Sequence, residues 1–243
     1  MNLIFDIGNT RTKVGLFSKK RLIKKVIWEK CDLKTVKEFV KNRNIKNAAL
    51  SSTANVSQAV EKFLQKKYFY IRLDHTTLLP IKNKYKTPQT LGKDRLAGVV
   101  AANDFFPKTN CLVIDAGTCI TYDFIDKEGN YLGGSISPGL KMRLQAMNHF
   151  TAKLPLVEQK SLKSFIGNDT ESSLQTGGLM GAVMEIRGFI DSYNNSFTKI
   201  NTILTGGDSA WLAKNLEKPI FVKQNLILHG LNKILNYNVQ LLE

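Results

Sequence analysis

Residues 3–13, LIFDIGNTRTK, lie without a gap over residues 112–122, LVIDAGTCITY. Leu, Asp, Gly and Thr match at the same offsets, and an apolar triplet precedes the Asp in both copies. A chain with such a repeat has to build the same supersecondary unit twice. The segments downstream of the two copies agree in kind. After the first, LIKKVIWE reads as another strand and DLKTVKEFVKN as a helix, with Asp32 as N-cap and Leu33, Val36, Phe39 and Val40 on one face. NAALSST, VSQAVEKFLQKK and YFYIRLD then read as strand, helix and strand. After the second copy, TYDFID and NYLGGSI read as strands. Helical material, TILTGGD, PIFVK and a closing helix come next.

Strands first, then helix and strand in alternation, is the order of a ribonuclease H-like unit. The pattern predicts an α/β chain of two ribonuclease H-like domains, with mixed sheets and an interdomain cleft. The expected domains are 1–107 and 108–243, with the boundary near Pro107–Asn110. A chain of 243 residues suits two domains of this size.

The composition excludes several classes. Hydrophobic content of 43% and charged content of 23% are those of an ordinary globular protein. Asp6 interrupts the first apolar stretch, and no run reaches the roughly 18 apolar residues of a membrane span. A cytoplasmic protein with no membrane partner is expected. Cys31, Cys111 and Cys119 have no metal-ligand spacing and stand apart from His75, His149 and His229, so neither a zinc site nor a Cys–His nucleophile is indicated. The net charge of +15 favours anionic partners, either nucleic acid or phosphorylated small molecules. The lysines are scattered, however, through 19–25, 34–41 and 82–86, as on a solvated basic surface. A nucleic-acid-binding regulator would need a clustered basic face, and no DNA-reading motif is present.

The repeated turn carries the chemistry. In DIGNTRTK, residues 6–13, Gly8 lets the backbone pass close to a ligand, and successive N–H groups can point at phosphate oxygens. Asn9 and Thr10 add donors, and Arg11 or Lys13 adds positive charge. Asp6 beside phosphate requires a cation between them, and Mg²⁺ held through one or two carboxylates and water resolves the conflict. DAGTCIT offers Asp115, Gly117, Thr118 and Thr121 from the other half, and TGGD (205–208) is a third glycine turn after a strand. Neither a Walker-type loop nor G-x-G-x-x-G after a strand is present. Phosphoryl chemistry on a different fold remains.

Six segments in order, DIGNTRTK (6–13), YKTPQTLGKDRLAGVVAA (85–102), LVIDAGTCITYD (112–123), GGSISPGL (133–140), GNDTESSLQTGGLMG (167–181) and TGGD, resemble the type III pantothenate kinases. That family belongs to the superfamily of acetate and sugar kinases, actin and the chaperone ATPases. Cys119 and Ser209 stand where Ala is common, a change between small residues. The resemblance implies ATP-dependent phosphorylation of pantothenate to 4'-phosphopantothenate, the first step of coenzyme A biosynthesis. It implies that Asp6, Ile7, Gly8, Asn9, Thr10, Arg11, Thr12, Lys13 and Thr118 bind ATP, with Asp6 near Mg²⁺ through water. Tyr85, Gly92, Lys93, Asp94, Arg95 and Thr170 would bind pantothenate, Asp94 being the general base and Arg95 the partner of the substrate carboxylate. Asp115 would hold a monovalent cation, K⁺ or NH₄⁺. A homodimer with Thr170 near the subunit interface is also implied. The implied partners are ATP and pantothenate, and nucleic acid is disfavoured. A sister kinase acting on a sugar or an acetate-like acid would share the ATP turns but lack GKDR in this context.

Overall fold

Leu3, Phe5 and Ile7 alternate with Asn2, Ile4 and Asp6 along the first strand, and this alternation sets up the two faces of the first sheet. The computed structural model describes residues 1–8, 10–160, 164–216 and 219–242. It begins with β1 (Asn2–Ile7), β2 (Thr12–Ser18), β3 (Arg21–Trp28), α1 (Leu33–Val40), β4 (Asn47–Ser52), α2 (Gln58–Lys67), β5 (Phe69–Arg72), β6 (Lys82–Asn83) and α3 (Lys93–Phe105). The sheet order is β3-β2-β1-β4-β5, antiparallel through β1, β2 and β3, and parallel through β1, β4 and β5. Leu3, Phe5 and Ile7 pack with Val36 and Val40 of α1 and Val60 and Leu64 of α2. Asp32 caps α1 as expected, accepting from the Thr35 N–H at 2.8 Å. Ile4 faces the other way, into a cluster with Ala49, Ala97 and Val100.

The chain continues with β7 (Asn110–Ala116), β8 (Cys119–Ile125), β9 (Asn130–Pro138), α4 (Leu140–His149) and α5 (Thr170–Gln175). After a π-helical turn at Thr176–Met180 come α6 (Gly181–Ser196), β10 (Ile200–Thr205), α7 (Ser209–Asn215), β11 (Phe221–Val222) and α8 (Leu226–Gln240). Two compact units result: Met1–Pro107 with Gly129–Tyr131 and Asn225–Glu243, and Lys108–Glu128 with Leu132–Gln224. In the second, strands run in the order β11-β10-β7-β8-β9, and Leu112, Ile114 and Ala116 pack with Leu140, Leu144, Val183 and Ile186. Asn130 and Tyr131 count with the first unit, where they pair in parallel with Lys82 and Asn83.

Two details differ from the expectations drawn from sequence. The last helix, expected within residues 108–243, packs in the first unit. Leu228, Leu231 and Leu235 are buried beside α3, each burial being worth about 2 kcal/mol. Gly230 permits that approach, because a Cβ there would stand 1.8 Å from the Ala97 carbonyl oxygen. The repeat also needs a gap. In the first hairpin Asp6 pairs with Lys13, whereas in the second Asp115 pairs with Thr121, which the gapless overlay sets against Thr12. No helix among the described residues is long and apolar enough to cross a membrane.

Candidate active site

In the first unit the turn after β1 closes with the Gly8 N–H donating to the Arg11 carbonyl at 3.1 Å. Asp6 sits on the face of β1 that carries Ile4, the face covered by α3. Lys13, its cross-strand neighbour, brings Nζ to 3.8 Å from Asp6 Oδ2. Burial pushes the Asp6 carboxyl up to about 6; Lys13 opposes the rise, and the charge of Asp94 adds to it. Asp94 lies in the first turn of α3, three residues before the buried Ala97 of that cluster. The fold therefore brings together two carboxylates that are 88 positions apart in the sequence (94 − 6).

Gly92 is the N-cap of α3, and a Cβ on it would meet Asp94 Oδ1 at 2.6 Å. That same oxygen accepts from the Arg95 N–H at 2.8 Å. Arg95 is buried, with its guanidinium carbon 5.6 Å from the centroid of the Tyr85 ring. Tyr85 stacks on the buried Tyr131 at 6.1 Å and 9°. The Lys93 ammonium donates to the Leu91 carbonyl at 2.9 Å. Of the other residues expected at phosphate, Thr10 and Arg11 are exposed, while Thr12 is buried. The Ile7 side chain belongs to the apolar cluster, so only its backbone faces the turn. Asn9 lies outside the described residues.

In the second unit three turns converge. The Gly117 N–H donates to the Cys119 carbonyl at 2.9 Å, and Thr118 is exposed. Gly206 has φ +95°, and a Cβ there would stand 2.3 Å from the Ala116 oxygen and 2.5 Å from Asp115 Oδ1. Gly139 presses equally hard, 2.4 Å from the Gly117 and Thr118 oxygens by the same measure. Only glycine allows such approaches. Behind them, Glu185 accepts from Tyr122 at 2.7 Å, from Ser137 at 2.5 Å and from Arg143 at 2.6 Å, which ties the end of β9 to α6. Asp208, beside these turns, has its carboxyl pushed up by burial, against the pull of Lys141. Thr170 is exposed at the start of α5, bordering a 560 Å³ groove with Met147, Leu154 and Asn168.

A family model for type III pantothenate kinases matches residues 2–192. The type III pantothenate kinase of Christiangramia forsetii is 45% identical, covering 98% of this chain and 99% of that one. The chain belongs to the type III pantothenate kinase family.

Solved structures agree on the fold. A Campylobacter jejuni protein described as of the Baf family of transcriptional activators superposes with a TM-score of 0.61 at 24% identity, covering 98% of this chain and 99% of that one. The ROK hexokinase of Thermus thermophilus superposes with a TM-score of 0.53 at 14% identity, with the same coverage. The fold is the two-domain α/β architecture shared by actin-like ATPases and sugar kinases.

Placed within this family, the donor set of the first unit suits a hard divalent ion. Asp6 offers oxygen ligands, and the neighbouring Asp94 adds to the negative charge there. Mg²⁺ is usually held through one or two carboxylates together with substrate phosphates and water. Two residues carry more than their sequence context announces. Ser51, next to Asp6 on β4, and Thr121, across from Asp115 on β8, both have buried hydroxyls with no hydrogen-bond partner. Thr121 was visible within the DAGTCIT motif. Ser51 sits in an ordinary strand sequence, and only the register of β1 against β4 reveals it.

Proposed function

We propose that this protein transfers the γ-phosphoryl group of ATP to the primary hydroxyl of pantothenate, giving 4'-phosphopantothenate and ADP, with Asp94 as the general base. The observation that carries this reading is the placement of Asp94 on the first turn of α3, close enough to Asp6 for its charge to bear on that carboxyl. Asp94 Oδ1 is engaged by the Arg95 N–H, which leaves Oδ2 to take the hydroxyl proton. As that proton leaves, the alcohol oxygen attacks the γ-phosphorus and the bond to the ADP oxygen breaks. A divalent ion, when bound, neutralises charge on the phosphates. Asp6 would hold it through water, while the turn N–H groups with Thr10, Arg11 and Lys13 orient the phosphate chain. Arg95, backed by Tyr85 on Tyr131, offers a planar fork to the pantothenate carboxylate. Gly92 keeps room for Asp94, and Lys93 would act through its backbone, since its ammonium is occupied.

On the second unit, we infer that Thr118 binds ATP phosphate and that Asp115 holds K⁺ or NH₄⁺. The buried Thr121 hydroxyl across the hairpin supports this as an additional oxygen donor. We further infer a homodimer acting in the cytoplasm, with Thr170 near the interface. Phe150, Leu156, Phe165 and Ile166 expose large apolar side chains in the same stretch, as a surface awaiting a second copy would.

The test is a coupled ADP-release assay with ATP, Mg²⁺, K⁺ and pantothenate, run beside Asp94→Asn. Pantothenate-dependent turnover is expected, collapsing in the variant. Turnover with a sugar or a short acid in place of pantothenate would overturn the assignment.

A further inference from the structure

Three hydroxyl residues in a row, Ser51 and Ser52 at the end of β4 and Thr53 just after it, lie beside the turn that follows β1, and they are used differently. Ser52 Oγ donates to the Ala54 carbonyl at 2.6 Å and accepts from the Ala54 N–H at 3.1 Å, so it builds the turn. The Thr53 N–H donates to the Ile7 carbonyl at 3.0 Å and extends the ladder. Ser51 is 1% exposed, and its hydroxyl has no partner at all. A buried hydroxyl left this way costs about 1–3 kcal/mol. Native proteins rarely carry one without a reason.

The register says what it faces. In the parallel pair β1–β4, Asn2 stands beside Asn47, Ile4 beside Ala49 and Asp6 beside Ser51. Partners in such a row share a face of the sheet. The row at the far end demonstrates it, since Asn47 Nδ2 donates to Asn2 Oδ1 at 2.9 Å. The middle row enters the cluster under α3 with Ala97. The third row therefore sets the unpartnered hydroxyl of Ser51 next to the carboxylate of Asp6, on the side from which Asp94 approaches.

We propose that Ser51 is a positioning residue: its hydroxyl donates to the Asp6 carboxylate when that carboxylate turns toward the divalent ion, and so fixes which oxygen the ion's water shell meets. This rests on the reading of Asp6 as the carboxylate that serves the metal. Partners behind metal-serving carboxylates commonly tune affinity about 10–100-fold. Pairing with that carboxylate would satisfy the hydroxyl, which otherwise has no partner.

The experiment is thermal unfolding of the full chain with ADP, titrated with Mg²⁺, for wild type, Ser51→Ala and Ser51→Thr, with ADP in EDTA as the reference. In Ser51→Ala the melting temperature without ligand stays level or rises, while the Mg²⁺ concentration for half-maximal stabilisation in the presence of ADP increases about 10-fold. ADP in EDTA acts alike on all three proteins, and Ser51→Thr restores the Mg²⁺ dependence. An unchanged Mg²⁺ dependence in Ser51→Ala overturns the proposal. So does a lower ligand-free melting temperature with the Mg²⁺ midpoint unmoved, since that marks a structural hydroxyl. A wild-type protein that shows no Mg²⁺-dependent stabilisation by ADP would overturn the reading of Asp6 itself, a distinct failure visible before any variant is compared.

Discussion

The two hairpins that open the halves share Asp-x-Gly but are built to different lengths. In the first, Ile7 pairs with Thr12 around residues 8–11; in the second, Ala116 pairs with Ile120 around residues 117–119. One extra residue in a turn moves the returning strand by one position, and in a sheet one position exchanges the faces. Asp6 consequently has Lys13 across from it, and Asp115 has Thr121. One turn sets an ammonium beside its carboxylate, suited to a polyphosphate. The other sets a hydroxyl there and presses Gly206 and Gly139 against its backbone, a cramped arrangement suited to a small ion. On the proposed assignments, a single residue of loop divides the motif between two tasks.

The largest expected effect tests whether the chemistry belongs to the first hairpin's neighbourhood. Asp94→Asn should lower kcat by about 10²–10⁴ with little change in the ATP KM, the range for losing a general base. Steady-state ADP release measures it. A variant within about threefold of wild type would take the base away from α3.

Gly206→Ala is the next largest and addresses the second hairpin. With φ at +95° and a Cβ forced to 2.3 Å from the Ala116 oxygen, it should cost about 3 kcal/mol or more in urea unfolding. Gly207→Ala, with nothing within 4 Å of its Cβ, should stay within about 0.5 kcal/mol. Equal costs would mean that the packing of TGGD onto Asp115 is not what holds the turn.

These contrasts also show what the sequence could and could not disclose. The strands and helices were legible because their apolar residues repeat cleanly, as in Val36 and Val40 of α1 or Leu3, Phe5 and Ile7 of β1. The motif residues Asp6, Asp94 and Asp115 stood out only in combination, since each alone reads as an ordinary turn or helix start, and the order of the six segments along the chain singles them out. The hairpin register was not. Thr12 and Thr121 match letter for letter, yet they occupy different rows, because loop length is decided by three-dimensional closure. The placement of α8 was equally hidden: it hangs on Gly230 fitting against Ala97, a contact between residues 133 positions apart (230 − 97). Ser51 carries no local signature, and its meaning comes entirely from the strand beside it.

Proton linkage offers a third comparison. The Asp6 carboxyl titrates near 6 in the folded protein against 3.8 when free, because burial disfavours its charge. The native state thus binds this proton more tightly than the unfolded chain. The resulting stability is complete below about pH 3.8 and is lost as pH rises through about 6, a change of about 3 kcal/mol. Asp6→Asn should flatten that part of the ligand-free pH–stability curve in denaturant unfolding. A curve with the same slope in the variant would remove Asp6 as its source.

The smallest effects on stability should separate the two hairpins most cleanly. Lys13 is partly exposed and 3.8 Å from its carboxylate, so Lys13→Met should change ligand-free stability by less than about 1 kcal/mol. Thr121→Val deletes a buried hydroxyl that has no partner and keeps the shape of the side chain, so it should be neutral or stabilising by about 1 kcal/mol. Their effects on activity should part. Lys13→Met loses a cation beside the phosphates, so the ATP KM rises several-fold while the response to K⁺ persists. Thr121→Val loses a donor beside Asp115, so the K⁺ concentration for half activation rises while the ATP KM at saturating K⁺ stays near wild type. Titrating K⁺ against an Na⁺ background at several ATP concentrations reads both constants from one data set. If both variants raise both constants together, the hairpins act as one site, and the extra residue in the first turn has no part in dividing their work.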